Sequence, residues 1–168
     1  MGRPRAFDTD RAVSTAAALF AAHGFEGTSV DDLVTATGMH RGSLYKVFGS
    51  KRSLHLTVLR NHLDHEIHPA TAVLATVTDP ARALSTAIAS FDNGPAAGLL
   101  VFAAAERAPH DPDVAALVAE GITALEEALR PSHGENAPHT ASTVLGARLR
   151  LRARPAVPGA QPATSKEY

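Results

Sequence analysis

The chain has 168 residues, of which 45% are apolar, with no Cys and a formal net charge of −1. This composition is typical of a globular protein with one domain, or with a small domain joined to a larger one. The absence of Cys excludes disulfides and thiolate metal sites, and no apolar run approaches the length of a membrane span, so we expect a cytoplasmic protein.

The charges are unevenly distributed along the chain. Residues 1–60 carry a net charge of +3, residues 61–130 carry −7, and residues 131–168 carry +3. A basic head on an acidic body is typical of a DNA-binding domain joined to another domain. Chance segregation of charges on solvated faces would give the same pattern, and charge alone does not separate the two interpretations.

A basic arm and an amphipathic helix begin the chain. The arm, residues 2–7, carries Arg3 and Arg5, which could reach phosphates or a minor groove; the alternative is an N-terminus with incidental charge. From about Asp8 onwards, apolar residues recur at helical spacing, and Gly24 suits the left-handed residue that ends a helix.

Two short helices around a glycine follow, and they predict a helix-turn-helix. Thr28 or Ser29 caps the first, Gly38 supplies the tight turn, and the second spans residues 41–48. In this motif the second helix enters the DNA major groove. Leu44 and Phe48 would anchor that helix to a core. The side chains that would face DNA are those of Arg41, Ser43, Tyr45 and Lys46.

The rest of the chain up to residue 131 also has helical patterns. We predict helices from Ser50 to His68, where Pro69 should end or kink the helix, and over residues 80–91, 99–106 and 112–131. Residues 70–78 give no clear pattern. Because no stretch alternates convincingly with period two, the fold class is all-α.

The pattern changes after Pro131. Residues 132–140 are polar and rich in turn formers. Residues 141–154 could form a helix, but they carry four arginines at period two, which suits no helix face. Residues 155–168 are rich in Pro, Ala and Gly and are expected to be disordered. Two explanations remain open: a shifted reading frame, or a natural short variant that dimerises through residues 112–131 and one residual helix.

Other chemistry is poorly supported. His62, His65 and His68 are spaced so that only neighbouring pairs share a helix face. Together with His55 they fit a solvated helix surface better than a metal site. No nucleophile elbow, phosphate-binding loop or paired-carboxylate pattern occurs, so we expect neither an enzyme nor a cofactor.

A ligand cavity is predicted in the second half of the chain. Many small Ala residues near a few large apolar groups would leave room for an apolar ligand. Glu106, after an apolar run, could orient such a ligand, or it could bind local backbone or Arg107. The candidate lining residues are Ile88, Phe91, Phe102 and Glu106.

The stretch from Ala17 to Leu59 resembles the Tet repressor (TetR) family of bacterial transcriptional regulators. The matching residues include Gly24, Phe25, Thr28, Ser29, Val30, Leu33, Gly38, Gly42, Ser43, Leu44, Tyr45, Phe48, Ser50, Lys51 and Leu54. Residues 98–114 are also similar to the sixth helix and following loop of one branch of the family.

This resemblance implies an N-terminal three-helix domain with the helix-turn-helix (residues 1–50) and a helical ligand-binding and dimerisation domain (residues 51–154). Residues 155–168 would be a tail. It also implies a homodimer that represses from a palindromic operator and is released by a small molecule. By position, Thr28, Ser29 and Lys51 would meet backbone phosphates.

The chain also departs from the family pattern. His40 stands where Ser usually caps the recognition helix, and Val47 stands where an aromatic residue or His is common. The family's last helices, which build the dimer, are not recognisable. A DNA-binding protein without effector control and a non-functional truncated regulator therefore remain alternatives.

Overall fold

The structure, a computed structural model, describes the backbone of residues 5–152 and the side chains of residues 9–151. Within that part it consists of helices without a β-strand, which confirms the all-α prediction. No described helix is long and apolar enough to cross a membrane. The helices are α1 (Arg5–His23), α2 (Val30–Thr37), α3 (Arg41–Phe48), α4 (Lys51–His62), α5 (His68–Leu74), α6 (Pro80–Ser90), α7 (Leu99–Glu106), α8 (Pro112–His133) and α9 (Ala137–Arg152).

Capping residues set the starts of α2, α6 and α8 where the sequence predicts them, whereas α1 begins at Arg5, before the predicted start near Asp8. The Oγ of Ser29 accepts a hydrogen bond from the Asp32 N–H at 3.0 Å, and the Asp32 carboxylate accepts from the Ser29 N–H at 2.8 Å. The Ser29 hydroxyl also donates to the Asp32 carboxylate at 2.6 Å. This bond first, and then the bond from the Ser29 N–H, holds the pKa of Asp32 below its ordinary value. Asp79 and Asp111 cap α6 and α8, each followed by a proline at the first helical position.

The helix does not end at Pro69, the first of the two outcomes predicted there, because the chain stays helical from Lys51 to Leu74. A π-helical turn, Leu63–Ile67, joins α4 to α5. The N–H of His68 bonds to the carbonyl of Leu63, five residues earlier. A proline ring clashes with the carbonyl four residues before it, and the wider turn relieves that conflict.

The region after Pro131 also differs from the prediction. The helix α8 continues through this proline to His133, and after a short 3₁₀ turn, Gly134–Asn136, α9 begins. Ala137, Ala141 and Val144 are fully buried on one stripe of α9, and this helix packs against α8 and α6.

The arginines at period two do not define the buried face of α9. Arg148 continues the stripe, is only 7% exposed, and donates a hydrogen bond from Nη2 to the carbonyl of Ile88 at 2.6 Å. Burial lowers the pKa of this guanidinium. Periodicity therefore persists through residues 137–148, carried by small residues and one buried arginine. The predicted tail, residues 155–168, lies outside the described residues.

Candidate nucleic-acid interface

A short, rigidly connected pair of helices forms the predicted reading element. Gly38 lies in the left-handed region with φ of +69°, and its N–H bonds to the carbonyl of Val34, which closes α2. Leu44 and Phe48 anchor α3 in the core at 0% and 9% exposure. The predicted turn and anchors are therefore present. We refer to α1–α3 as the reading head and to α4–α9 as the body.

The outward surface of α3 is rich in hydrogen-bond donors. The structure brings four predicted residues to this exposed surface: Arg41, Ser43, Tyr45 and Lys46. Tyr45 is 40% exposed and Val47 is 49% exposed. At Gly42 an added Cβ would meet no protein atom within 4 Å, so the helix backbone is bare there.

Arg41 has an intramolecular partner on the neighbouring helix. Its guanidinium forms an ion pair with Asp31 of α2, and both side chains are exposed. The hydrogen bond to Asp31 is the main reason that the pKa of Arg41 lies above its ordinary value. An exposed ion pair contributes little stability, so Arg41 can exchange Asp31 for a phosphate or a base at small cost.

The two predicted contacts at the start of α2 differ in accessibility. Thr28 is fully buried, and its hydroxyl donates to the carbonyl of Gly24 at 2.7 Å, so this side chain is not on the surface that α3 presents. Ser29 is exposed, although its hydroxyl donates to the carboxylate of Asp32. The structure thus gives Thr28 a packing contact instead of a surface position.

Lys51, at the start of α4, lies beside the reading head. Its Nζ donates to the carbonyl of Thr28 at 2.9 Å and lies 4.2 Å from the ring centroid of Phe25. An ammonium has three donors, so two remain for other acceptors. Arg3 lies outside the described residues, and of Arg5 only the backbone, at the start of α1, is described.

A groove beside the turn was not predicted from the sequence. Its volume is 450 Å³, and its lining residues are Thr9, Arg11, Thr37, Gly38, Met39, His40, Ser43 and Val47. His40 begins α3 and makes no capping hydrogen bond within the described part of the chain, as its replacement of Ser suggested. Arg11 adds a basic side chain from α1 to this groove. In the sequence, its position one helical turn after the basic arm indicates that it could belong to the same basic surface.

Glu106 joins the body to the reading head and does not face the predicted cavity. Its Oε2 accepts from the N–H of Phe25 at 2.7 Å, and its Oε1 accepts from the N–H of Glu26 at 2.8 Å. Of the two roles considered for Glu106, ligand contact and binding of local backbone, the second is nearer to this result, because both partners are backbone amides. These amides are not local, however, since they lie about eighty positions earlier in the chain.

Ion pairs surround this joint. Arg52 of α4 binds Asp111 through two hydrogen bonds of 2.8 Å. The Asp111 side chain is only 2% exposed, and the bond from Arg52 holds its pKa far below the ordinary range. Arg107 lies 3.3 Å from both Asp111 and Glu26. Carboxylates and guanidinium groups therefore connect α4, α7 and α8 next to the loop that follows α1.

Two of the four histidines are buried, contrary to the predicted solvated face. His55 is 2% exposed between Phe20 and Phe25, and burial, reinforced by the charge of Arg107, lowers its pKa to about 4. His62 lies 2.8 Å from a carboxylate oxygen of Asp92, with both side chains buried. No group of three or more His, Asp or Glu in the described residues could hold a metal ion.

An apolar cavity of 280 Å³ lies between α7, α8 and α9. Its lining residues are Leu100, Val101, Ala104, Ala105, Val118, Ile122, Leu145 and Leu149. None of the four predicted lining residues contributes to it. Phe91 is a core residue at 1% exposure, Ile88 supplies the carbonyl that binds Arg148, and Phe102 is half-buried in α7.

A donor-rich recognition helix, joined by a glycine turn to the helix before it and followed by a helical body, defines a helix-turn-helix DNA-binding protein. Residues 12–58 match the family model of bacterial regulatory proteins, tetR family. The uncharacterized HTH-type transcriptional regulator YezE of Bacillus subtilis is 31% identical in an alignment of 137 positions that covers 76% of this chain and 69% of YezE. The chain belongs to the TetR family and is a DNA-binding transcriptional regulator, which confirms the resemblance and the expectation that it is not an enzyme.

Other relatives match over shorter or more divergent stretches. The HTH-type transcriptional repressor ComR of Escherichia coli is 46% identical over 63 residues, 38% of this chain and 30% of ComR. The structure of a cysteine-substituted TetR family regulator, CifR, with a 26-base-pair operator DNA is 28% identical, with a TM-score of 0.71 and 90% of each chain covered. A Saccharomonospora viridis regulator in complex with choline, 16% identical with a TM-score of 0.68 over 87% of this chain and 85% of that one, shares the fold.

Proposed function

We propose that this chain is a repressor that binds a palindromic operator as a homodimer and is released by a small apolar effector. The observation that carries the proposal is the exposed surface of α3, where Arg41, Ser43, Tyr45 and Lys46 surround a bare Gly42. In a two-fold dimer, two such helices would read half-sites about one helical turn apart.

The exposed residues divide into two kinds of contact. Arg41 and Lys46 carry the charged donors that recognise guanine edges, and Ser43 can bond to any base. Tyr45, Ser29 and Lys51 suit phosphate oxygens, which fix the head on the duplex without reading its sequence. Arg3 and Arg5 would extend into the adjacent minor groove.

The decisive experiment selects operator duplexes from a random library and measures affinity by fluorescence anisotropy. Tyr45→Ala and Lys46→Ala should each weaken binding about tenfold or more without lowering the unfolding midpoint. The matched control is Arg82→Ala, which removes an exposed charge from α6 in the body. If both reading-head variants keep wild-type affinity, the assignment of α3 as the recognition helix is wrong.

A DNA-binding protein without effector control is the second candidate, favoured by the few recognisable family features after Pro131. Footprinting on genomic fragments separates the two candidates. A discrete palindromic footprint supports a regulator, whereas diffuse coverage supports a packaging protein.

The effector would occupy the cavity between α7, α8 and α9. All eight lining residues are apolar, and 280 Å³ is near the lower end of ligand pockets, so the ligand class is small, apolar and uncharged. A thermal-shift screen of apolar and cationic compounds, followed by operator-release assays, tests this. Apolar compounds should stabilise the wild type, but not Ala104→Phe, which fills the cavity; stabilisation by cationic compounds alone would contradict the assignment.

The dimer would form through α8 and α9. Leu149 and Leu151 are 53% and 46% exposed at the outer side of α9. Covering them against a second copy would remove exposed apolar surface from water. Sedimentation equilibrium should show a dimer for the wild type and a monomer for Leu151→Glu, because Leu151, unlike Leu149, does not line the cavity. The control is Val73→Glu, since Val73 is equally apolar and 63% exposed on α5. A wild-type monomer at low micromolar concentration would refute the dimer.

A further inference from the structure

We infer that Glu106 is a positioning residue: its carboxylate fixes the orientation of the reading head on the body and passes displacements of α7 to that head. The inference deepens the proposed function and rests on it. Glu106 is the last residue of α7 and belongs to the body, whereas both groups that it binds belong to the loop between α1 and α2.

Each oxygen of the Glu106 carboxylate has its own backbone partner in the reading head. Oε2 binds the N–H of Phe25 at 2.7 Å and Oε1 binds the N–H of Glu26 at 2.8 Å. Two charge-assisted bonds to successive amides fix direction as well as distance. Ser29 begins α2 three residues after Glu26, so the carboxylate also sets where the helix-turn-helix begins.

Gly24 shows that the loop is shaped around this carboxylate. Its φ is +76°, and a Cβ at this position would lie 2.6 Å from Oε2 of Glu106. Any residue other than glycine would therefore be strained in its backbone and would displace the carboxylate. The glycine that ends α1 thus also leaves the space that Glu106 occupies.

Two cations near Glu106 contact the side chains of the same loop, whereas Glu106 contacts its backbone. The guanidinium of Arg107 lies 4.5 Å from the ring centroid of Phe25 and 3.3 Å from Oε1 of Glu26. Lys51 of α4 covers the same ring at 4.2 Å. The joint therefore has a defined geometry, set by cations on the Phe25 ring and by one carboxylate on the backbone.

The helix that carries Glu106 also forms one wall of the apolar cavity. Leu100, Val101, Ala104 and Ala105 of α7 line that cavity, and Ala105 directly precedes Glu106. Because α7 has only eight residues, a displacement of this wall moves the carboxylate as well. An occupant that displaces this wall would therefore change the orientation of the reading head, because the carboxylate moves with the wall.

The first experiment compares Glu106→Ala with wild type on two duplexes, the selected palindrome and a single half-site. Glu106→Ala should weaken binding to the palindrome about tenfold, because misoriented heads no longer reach both half-sites together. Affinity for the single half-site should stay within about twofold, because α3 itself is unchanged. The matched control, Glu66→Ala, removes an exposed carboxylate from the π-helical turn between α4 and α5 and should change neither affinity.

Amide hydrogen exchange gives a readout that does not depend on DNA. The amides of Phe25 and Glu26 should exchange faster in Glu106→Ala, and Gly24→Ala should produce the same pattern by displacing the carboxylate. Equal loss of affinity on both duplexes, or no loss on either, would overturn the positioning role. A wild-type protein that does not prefer the palindrome to the half-site would instead refute the proposed dimeric operator binding.

A double-mutant cycle tests the transmission through α7. Ala104→Phe serves as the probe for an occupied cavity and should lower affinity for the palindrome in the wild-type background. In the Glu106→Ala background the same substitution should change affinity less than about twofold. Additive losses would overturn the transmission. Ala105→Leu provides a smaller cavity-filling change if Ala104→Phe lowers the unfolding midpoint.

Discussion

Acidification should destabilise the joint between the reading head and the body through His55. The imidazole is buried against Phe20 and Phe25, and its Nδ1 has no hydrogen-bond partner among the described residues. Burial first, and then the positive charge of Arg107, lowers the pKa of His55 to about 4. The folded protein therefore holds this side chain neutral at pH values where the unfolded chain protonates it.

The expected loss of stability follows from that difference in pKa. An unperturbed His has a pKa near 6.5, and each unit of difference corresponds to about 1.4 kcal/mol. The unfolded state binds more protons between about pH 6.5 and pH 4, so the free energy of unfolding falls as the pH falls through that window. We expect a loss from His55 of about 2 kcal/mol at pH 5 and about 3 kcal/mol at pH 4.

Urea denaturation at half-unit steps between pH 7.5 and pH 4, for wild type and for His55→Phe, measures this effect. The phenyl ring keeps the contacts with Phe20 and Phe25 but does not titrate, so the difference between the two curves isolates the contribution of His55. Asp111 contributes outside this window: its pKa is depressed, so its stabilisation is lost only at lower pH. Parallel curves for the two proteins would refute the reasoning.

Three further outcomes are expected. Gly42→Ala should raise the free energy of unfolding by about 0.5–1 kcal/mol, because the added methyl meets no protein atom and alanine favours the helix. The same methyl would stand between α3 and DNA and should therefore lower operator affinity. A gain in both the denaturation midpoint and the affinity measured by anisotropy would contradict this. Lys51→Ala should weaken binding to all duplexes alike and reduce the slope of log affinity against log salt by about one, as a lost phosphate contact does. Asp111→Asn should lower the thermal midpoint, because it weakens the α8 cap and leaves Arg52 without its nearly buried partner; Asp79→Asn, a cap without such an arginine bond, is the comparison.

The reading head could be predicted from the sequence because its signals are local. Gly38 encodes a left-handed turn, Leu44 and Phe48 are spaced to face one core, and Ser29 with Asp32 is a capping pair within four residues. Each of these features depends on neighbours in the chain, so no knowledge of the tertiary packing was needed to place α2, α3 and their exposed donors.

The joint and the cavity could not be predicted, because they depend on residues distant in sequence. Glu106 meets amides at positions 25 and 26, and Arg148 meets the carbonyl of Ile88, which lies sixty positions earlier. The packing face of α9 could not be predicted for a related reason: small residues and a buried arginine form its buried stripe, so a search for large apolar residues does not find it.

The uninterrupted helix from Lys51 to Leu74 has a mechanical consequence. It spans about 36 Å, beginning next to the reading head and ending deep in the body, so it acts as a lever. A rotation of roughly 5° about its far end moves its near end by about 3 Å, which is close to the rise of one base pair. Because the π-helical turn accommodates Pro69, the helix continues from α4 into α5 without a break. In the proposed release from a palindromic operator, a rotation as small as this would be enough to move α3 out of register with its half-site.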